Sequence, residues 1–344
     1  MERLNFRLLS LTLLLALVVI VLGAFTRLSD AGLGCPDWPG CYGHLTVPAE
    51  QHIDTSRFER PLEPDKAWAE MVHRYMAGTL GLFILAIFVL ALVFRQRLSS
   101  GVLLPALLLM TVLFQALLGM WTVTRLLSPV IVTAHLLGGF STLALVWLLW
   151  LRSRSALVRA GRMTAPGSRQ GQQQPGPGSG VKLAAVLGLL LVIGQIVLGG
   201  WTSTNYAAVA CGISYPLCHG ELWPPADFAE GFSLHQHLQD GVDYEYGILE
   251  NPARTAIHMA HRTGALVVFG FVGLLALGLM RRFGVTGFGC LLPAMLVLVC
   301  TQFLLGVLNV VLALPLAVAT AHNLVAALLL LSLIAFNDRV FRTR

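Results

Sequence analysis

A chain of 344 residues that is 56% hydrophobic and only 12% charged, with a mean hydropathy of +0.75, is too apolar for an ordinary soluble domain. Its net charge of +6 is sorted by position into alternate loops, which is a membrane-topology signal and gives no reason to expect a nucleic-acid partner.

Apolar stretches long enough to cross about 30 Å of hydrocarbon at about 1.5 Å per residue recur at roughly 8–26, 70–94, 102–124, 130–151, 182–203, 255–280, 286–311 and 316–337. They predict an all-α integral membrane protein with eight transmembrane helices. Arg3 and Arg7 precede the first stretch as in a signal peptide. It runs into Thr26-Arg27-Leu28 with no small-x-small cleavage site, so it reads as a retained helix. A long loop, 27–69, follows and carries Cys35 and Cys41. The second span opens on Glu70-Met-Val-His73-Arg74, and the fourth carries Thr133-Ala-His135. Residues 153–181 are rich in Gly, Gln, Pro, Ser and Arg, a composition that predicts a flexible linker. After the fifth span, the loop 204–254 carries Cys211 and Cys218. His258-Met-Ala-His261-Arg262 begins the sixth span, Cys290 and Cys300 fall in the seventh, and Thr320-Ala-His322 lies in the eighth.

Fifteen of the 23 basic residues, among them Arg95, Arg97, Arg152, Arg281, Arg282 and Arg344, lie on one side of these spans. Of the 17 acids, all but Glu2 and Asp338 fall in or at the edge of the two long loops. The positive-inside rule then places both termini in the cytoplasm and both cysteine-bearing loops outside. In that oxidising compartment the default reading is two short disulfides, Cys35–Cys41 and Cys211–Cys218. Cys290 and Cys300 are expected to be buried, inert thiols.

The two sides of the linker repeat one another. Leu22-Gly23-Ala24-Phe25-Thr26 matches Leu198-Gly199-Gly200-Trp201-Thr202, and Cys35 matches Cys211. His73-Arg74 matches His261-Arg262 after about 12 extra residues in the second long loop. Gln115-Ala-Leu-Leu-Gly119 matches Gln302-Phe-Leu-Leu-Gly306, and His135 matches His322. This predicts two pseudo-twofold-related four-helix bundles, 1–152 and 182–344, joined by the 153–181 linker. Gly119, Gly199, Gly200 and Gly306 are expected to permit close helix approach, and Gln115, Gln195 and Gln302 to bond between helices. Spans with so many glycines also permit a homo-oligomer.

A histidine within a span is costly unless paired, hydrated or bound, and four stand at similar depth. Two inward-facing histidines on neighbouring helices suit bis-imidazole ligation of a haem iron, pairing His73 with His135 and His261 with His322. No third or fourth intramembrane ligand completes a zinc or copper site near either pair. Arg74 and Arg262 directly follow ligand candidates, where a guanidinium suits haem propionates as well as it suits snorkelling to lipid headgroups. Glu70 precedes His73 by three residues and shares its helix face. The equivalent residue in the second half is His258, so the two sites are chemically unequal.

With these motifs the chain resembles the haem A synthase family of bacterial inner membranes and mitochondria, over nearly all of its length except 153–181 and the insertion in the second loop. The resemblance implies oxidation of the C8 methyl of haem O, through successive hydroxylations, to the formyl group of haem A for terminal oxidases. It implies haem O as substrate at His73 and His135, a resident haem b at His261 and His322, and a catalytic Glu70 beside the substrate site. It further implies delivery from haem O synthase and an electron partner of unassigned identity. The competing reading is a dihaem b-type cytochrome that acts only in electron transfer, which leaves Glu70 and the unequal halves unexplained.

Overall fold

The computed structural model describes all residues except 55, 59, 100, 162–177, 240, 286 and 343–344. Among the described residues, eight helices are long and apolar enough to span a membrane: α1 (Glu2–Leu28), α2 (Pro64–Val93), α3 (Leu103–Thr124), α4 (Pro129–Arg159), α5 (Ser179–Thr204), α7 (Asn251–Phe283), α8 (Leu291–Val311) and α9 (Leu316–Arg342). A further α-helix among the described residues, α6 (Phe228–Gly231), is a single turn in the second long loop, capped by the Asp227 carboxylate.

Several spans outrun the apolar windows that predict them. Proline in the first turn, where its missing N–H is not needed, starts α2 at Pro64 and α4 at Pro129. The first turns of α2 are polar, with Asp65 and Lys66, so the helix projects beyond the hydrocarbon and sets Glu70 and His73 inside its length. At its other end α4 continues through Ser153–Arg159, because no helix breaker intervenes before Gly161. Ser153 and Leu157 are buried there, and the Ser153 hydroxyl donates to Glu2 Oε1 at 2.7 Å. The predicted linker is therefore shorter at its start than 153; its stretch 162–177 lies outside the described residues.

The helices pack as two rings. In one, α1 touches α2 and α4, and α3 touches α2 and α4; in the other, α5 touches α7 and α9, and α8 touches α7 and α9. The histidine-bearing members, α2 and α4 in one ring and α7 and α9 in the other, thus stand diagonally across a centre. Between the rings, α1 meets α9, α4 meets α5, and α4 meets α9. Inside a bilayer, apolar faces gain little by meeting each other rather than lipid, so close packing and polar contacts must hold such helices. Trp147 Nε1 donates to the Leu331 carbonyl at 2.9 Å across the rings, and within the second ring Asn337 Nδ2 donates to that of Ala185 at 2.9 Å. Where α1 and α5 end, Arg27 donates to the Ser203 carbonyl at 2.6 Å, stacks on Tyr206, and shares Asp30 with the Tyr206 hydroxyl.

The loops repeat with the helices. Cys41 bridges to His44 as Cys218 does to Glu221. The α3–α4 and α8–α9 turns each place two non-glycine residues in the left-handed region, Leu126-Leu127 and Ala313-Leu314, a costly conformation for such side chains. The second long loop also crosses to the first ring. The Ser128 hydroxyl donates to the His237 carbonyl, the Tyr244 amide to that of Leu126 at 3.0 Å, and Arg60 pairs with Asp243 and Glu245 at 2.6 and 2.7 Å.

Candidate haem sites and their outer rims

Each of the four intramembrane histidines lies edge-on to a glycine of the neighbouring helix. A Cβ on Gly23 of α1 would come within 2.9 Å of His73 Cε1, and one on Gly199 of α5 within 3.1 Å of His261 Cε1. Gly119 of α3 and Gly306 of α8 stand likewise at 3.3 Å from His135 and His322. These glycines are cradles for imidazole rings. Gly200, by contrast, faces Thr133 and Leu136 and serves the α4–α5 contact. His73 and His135 stand on diagonal helices of one ring, and His261 and His322 on diagonal helices of the other.

The predicted glutamines do bond between helices, and to the histidines themselves. Gln115 Nε2 donates to the His135 carbonyl at 2.7 Å. Gln195 Nε2 donates to the His261 carbonyl at 2.9 Å and lies 3.0 Å from its Nδ1, while Gln302 Nε2 lies 3.2 Å from His322 Nε2. Nδ1 of His73, His135 and His322 is buried with no hydrogen-bond partner. Buried imidazole nitrogens without partners are costly, and four rings set in glycine cradles across two centres fit iron ligands of a macrocycle bound between them. Among the described residues, no three His, Cys, Asp or Glu side chains converge on one point, so the donor set is two imidazoles per centre, which suits a metal that brings its own equatorial nitrogens.

Above each pair the span helix is fastened to a disulfide-bonded loop. Cys35 and Cys41 are bridged, as are Cys211 and Cys218. In the first half, buried Glu70 accepts from the Cys35 amide at 2.8 Å and forms an ion pair with Arg74. Arg74 also donates to the carbonyls of Asp37 at 2.9 Å and Gly40 at 2.5 Å. In the second half His258 takes the place of Glu70. Its Nδ1 lies 2.8 Å from the Ala207 carbonyl and its Nε2 accepts from Arg262 Nε at 2.8 Å, which assigns the neutral tautomer protonated on Nδ1. Arg262 reaches the carbonyls of Leu217 and Ser214, each at 3.2 Å. Both arginines therefore hold loops, a task the sequence alone did not reveal. Gly23 was visible there only as part of a repeated segment; its offset of 176 from Gly199 was the available signal. Cys290 and Cys300 correct an expectation: both thiols are exposed, Cys290 as the residue before α8 and Cys300 on its outer face.

The fold and site define a polytopic helical membrane protein with two disulfide-bonded loops and a pair of intramembrane histidines on diagonal helices of each ring. The sequence matches the family model described as cytochrome oxidase assembly protein over residues 6–334, and the chain belongs to that family. Among its relatives, the haem A synthase of Shewanella oneidensis is 45% identical, covering 96% of this chain and 94% of that one. Haem A synthases of Methylobacterium radiotolerans and a Chelativorans species are 26% and 28% identical, covering 95% and 91% of this chain and 87% and 84% of theirs.

Proposed function

We propose that this protein is a haem A synthase that oxidises the C8 methyl of haem O to a formyl group. One observation carries the division of labour: two equivalent histidine centres, of which only one has a buried carboxylate, Glu70, at its rim. The reading makes 1–152 and 182–344 two pseudo-twofold-related halves, the first for substrate and the second for a resident cofactor.

In the first half His73 and His135 hold substrate haem O. In the second His261 and His322 hold haem b, which when bound supplies reversible one-electron transfer. Glu70, one helical turn outward of His73, acts on the substrate methyl as it is oxidised, accepting a proton at its carboxylate or stabilising developing positive charge. Its bonds from Arg74 and the Cys35 amide fix its rotamer and keep it against the loop, so its position does not depend on the substrate. His258 has both nitrogens engaged and no free acceptor, which leaves the second half without an equivalent base. Arg74 and Arg262 place positive charge beside the histidines at the outer rim, where propionates are accommodated. Basic residues set both termini in the cytoplasm and the disulfide loops outside, and an apolar, prenylated substrate arrives within the bilayer from haem O synthase.

The test is chromatography with mass detection of haems extracted from membranes making this protein together with haem O synthase. Haem A, or its hydroxymethyl precursor, is expected only when this chain is present. Haem O left unconverted in folded, haem-loaded protein under aerobic conditions would move the assignment to a dihaem electron carrier.

A further inference from the structure

A second pair of cations is repeated between the halves, apart from the two arginines that follow the histidines. Lys66 precedes His73 by seven residues and Arg254 precedes His261 by seven. Seven residues are nearly two full turns, which brings each cation back to within about 20° of its histidine's face and about 10 Å nearer the disulfide-bonded loops. Contacts at the start of α7 agree. Ala253 and Ile257 pack with Trp201 on one side of that face, and His258 meets the Ala207 carbonyl on the other. Arg254 stands between them, on the face that carries His261.

The partners of these cations differ. Among the described residues Arg254 forms no ion pair, and its Nε is buried with no hydrogen-bond partner. A buried donor of that kind is costly until an acceptor meets it, and a guanidinium is matched best by a carboxylate. Arg74 and Arg262 are engaged by loop carbonyls and by Glu70 and His258. Lys66 pairs with Glu63 of the same helix end at 2.9 Å, both side chains being partly exposed, and such a pair is weak in water.

A macrocycle ligated on both faces by histidines of opposite helices stands with its plane along the helix axes, so one edge faces the loops. His73 and His261 lie in the first third of α2 and α7, which makes that edge the one nearer water and the place for propionate carboxylates. We infer that Arg254 pairs with a propionate of the resident haem and Lys66 with a propionate of the substrate haem. This rests on the haem reading of the four histidines and adds carboxylate anchors to it. The anchors are unequal. Arg254 offers a forked guanidinium with no rival carboxylate, whereas Lys66 is a point charge that a propionate must share with Glu63. The resident haem is held fast, and the substrate haem is held loosely enough to leave as product.

The experiment uses the full-length purified protein with its resident haem. Arg254→Gln should keep the bis-imidazole spectrum and lower the midpoint potential, because a cation beside the haem favours ferrous over ferric iron. Arg254→Lys should restore most of that fall, an ordering by charge that a merely structural arginine would not produce. Haem lost from folded Arg254→Gln protein and regained in Arg254→Lys supports the same pairing. If Arg254→Gln does not fold, the first half decides. With haem O bound there, Lys66→Gln should speed its dissociation about tenfold or more, and Glu63→Gln, which removes the rival carboxylate, should slow it. Unchanged potential and haem content in Arg254→Gln, or haem O dissociation indifferent to both Lys66→Gln and Glu63→Gln, would overturn the proposal while leaving the haem reading intact. The absence of any bis-imidazole spectrum from the unsubstituted protein would instead remove that reading.

Discussion

The two halves of this protein use one scaffold for two environments. In both, a histidine lies against a glycine of the preceding span, an arginine one residue further on fastens the helix to a disulfide-bonded loop, and a second histidine faces the first across the ring. The differences are few and local: Glu70 against His258, and Val19 against Gln195. At the rim, a carboxylate bonded to the Cys35 amide is replaced by an imidazole bonded to the Ala207 carbonyl. On the proposed function, a duplicated membrane fold separates a reacting site from a holding site without altering its helices, because the two halves differ in side chains one turn from the histidines.

The largest expected effect breaks the halves apart. His73→Ala or His135→Ala should abolish haem A formation and leave a bis-imidazole haem b spectrum, whereas His261→Ala or His322→Ala should remove that spectrum. The opposite pattern, read by absorption spectroscopy and haem extraction on the same preparations, would exchange the roles of the halves. Next comes the rim. Glu70→Gln keeps the hydrogen-bonding shape and removes the charge, so haem should remain bound while conversion falls about 100-fold or more, the usual scale for a lost acid–base group. Glu70→His copies the second half into the first and should be no better than Glu70→Gln. Undiminished haem A from either variant would take Glu70 out of the chemistry.

The cradles offer a narrower comparison. A Cβ at Gly23 would meet the His73 ring at 2.9 Å, while one at Gly78, on α2 itself, meets nothing within 4 Å. Gly23→Ala should therefore displace the ring and lower occupancy of the substrate haem, and Gly78→Ala should leave it unchanged. Equal haem content in the two variants, measured per folded protein, would mean that the ring moves freely against α1.

Much of this was legible in the sequence, for identifiable reasons. Apolar runs announce spans because the bilayer demands internally bonded helices, and histidines within such runs stand out because an ionisable group there is costly. The matched offsets exposed the duplication and, through it, the odd position of Glu70. Other features left no such mark. The outer turns of α2 are polar and fall below any hydropathy threshold, although Ala67 and Met71 there pack under the Cys35–Cys41 loop. In a membrane span, lipid-facing and core-facing residues are alike apolar, so periodicity could not tell that Cys300 points outward. The pairing of each glutamine with a histidine twenty or more residues away depends on helix neighbours that a linear pattern does not give.

The smallest effect concerns a contact between the halves made by the second long loop. The second long loop lies over the α3–α4 turn, and His237, fully buried at its crossing point, packs edge-on to Trp201 with neither ring nitrogen hydrogen-bonded. Burial holds its pKa below the usual 6.5, so the docked loop binds a proton less readily than an undocked one. By linkage, docking is at full strength above about pH 6.5 and weakens as the pH falls below it, since protonation then favours the undocked state. Hydrogen exchange at residues 235–247, corrected for intrinsic rates and measured on either side of about pH 6.5, should show faster opening on the acid side. His237→Leu should flatten that dependence, whereas Arg60→Ala, which removes the partly exposed pairs with Asp243 and Glu245, should speed opening by about 1 kcal/mol or less at every pH. An acid dependence that survives His237→Leu would take the buried ring out of the docking equilibrium, and the crossing loop would then be held to the first half without its help.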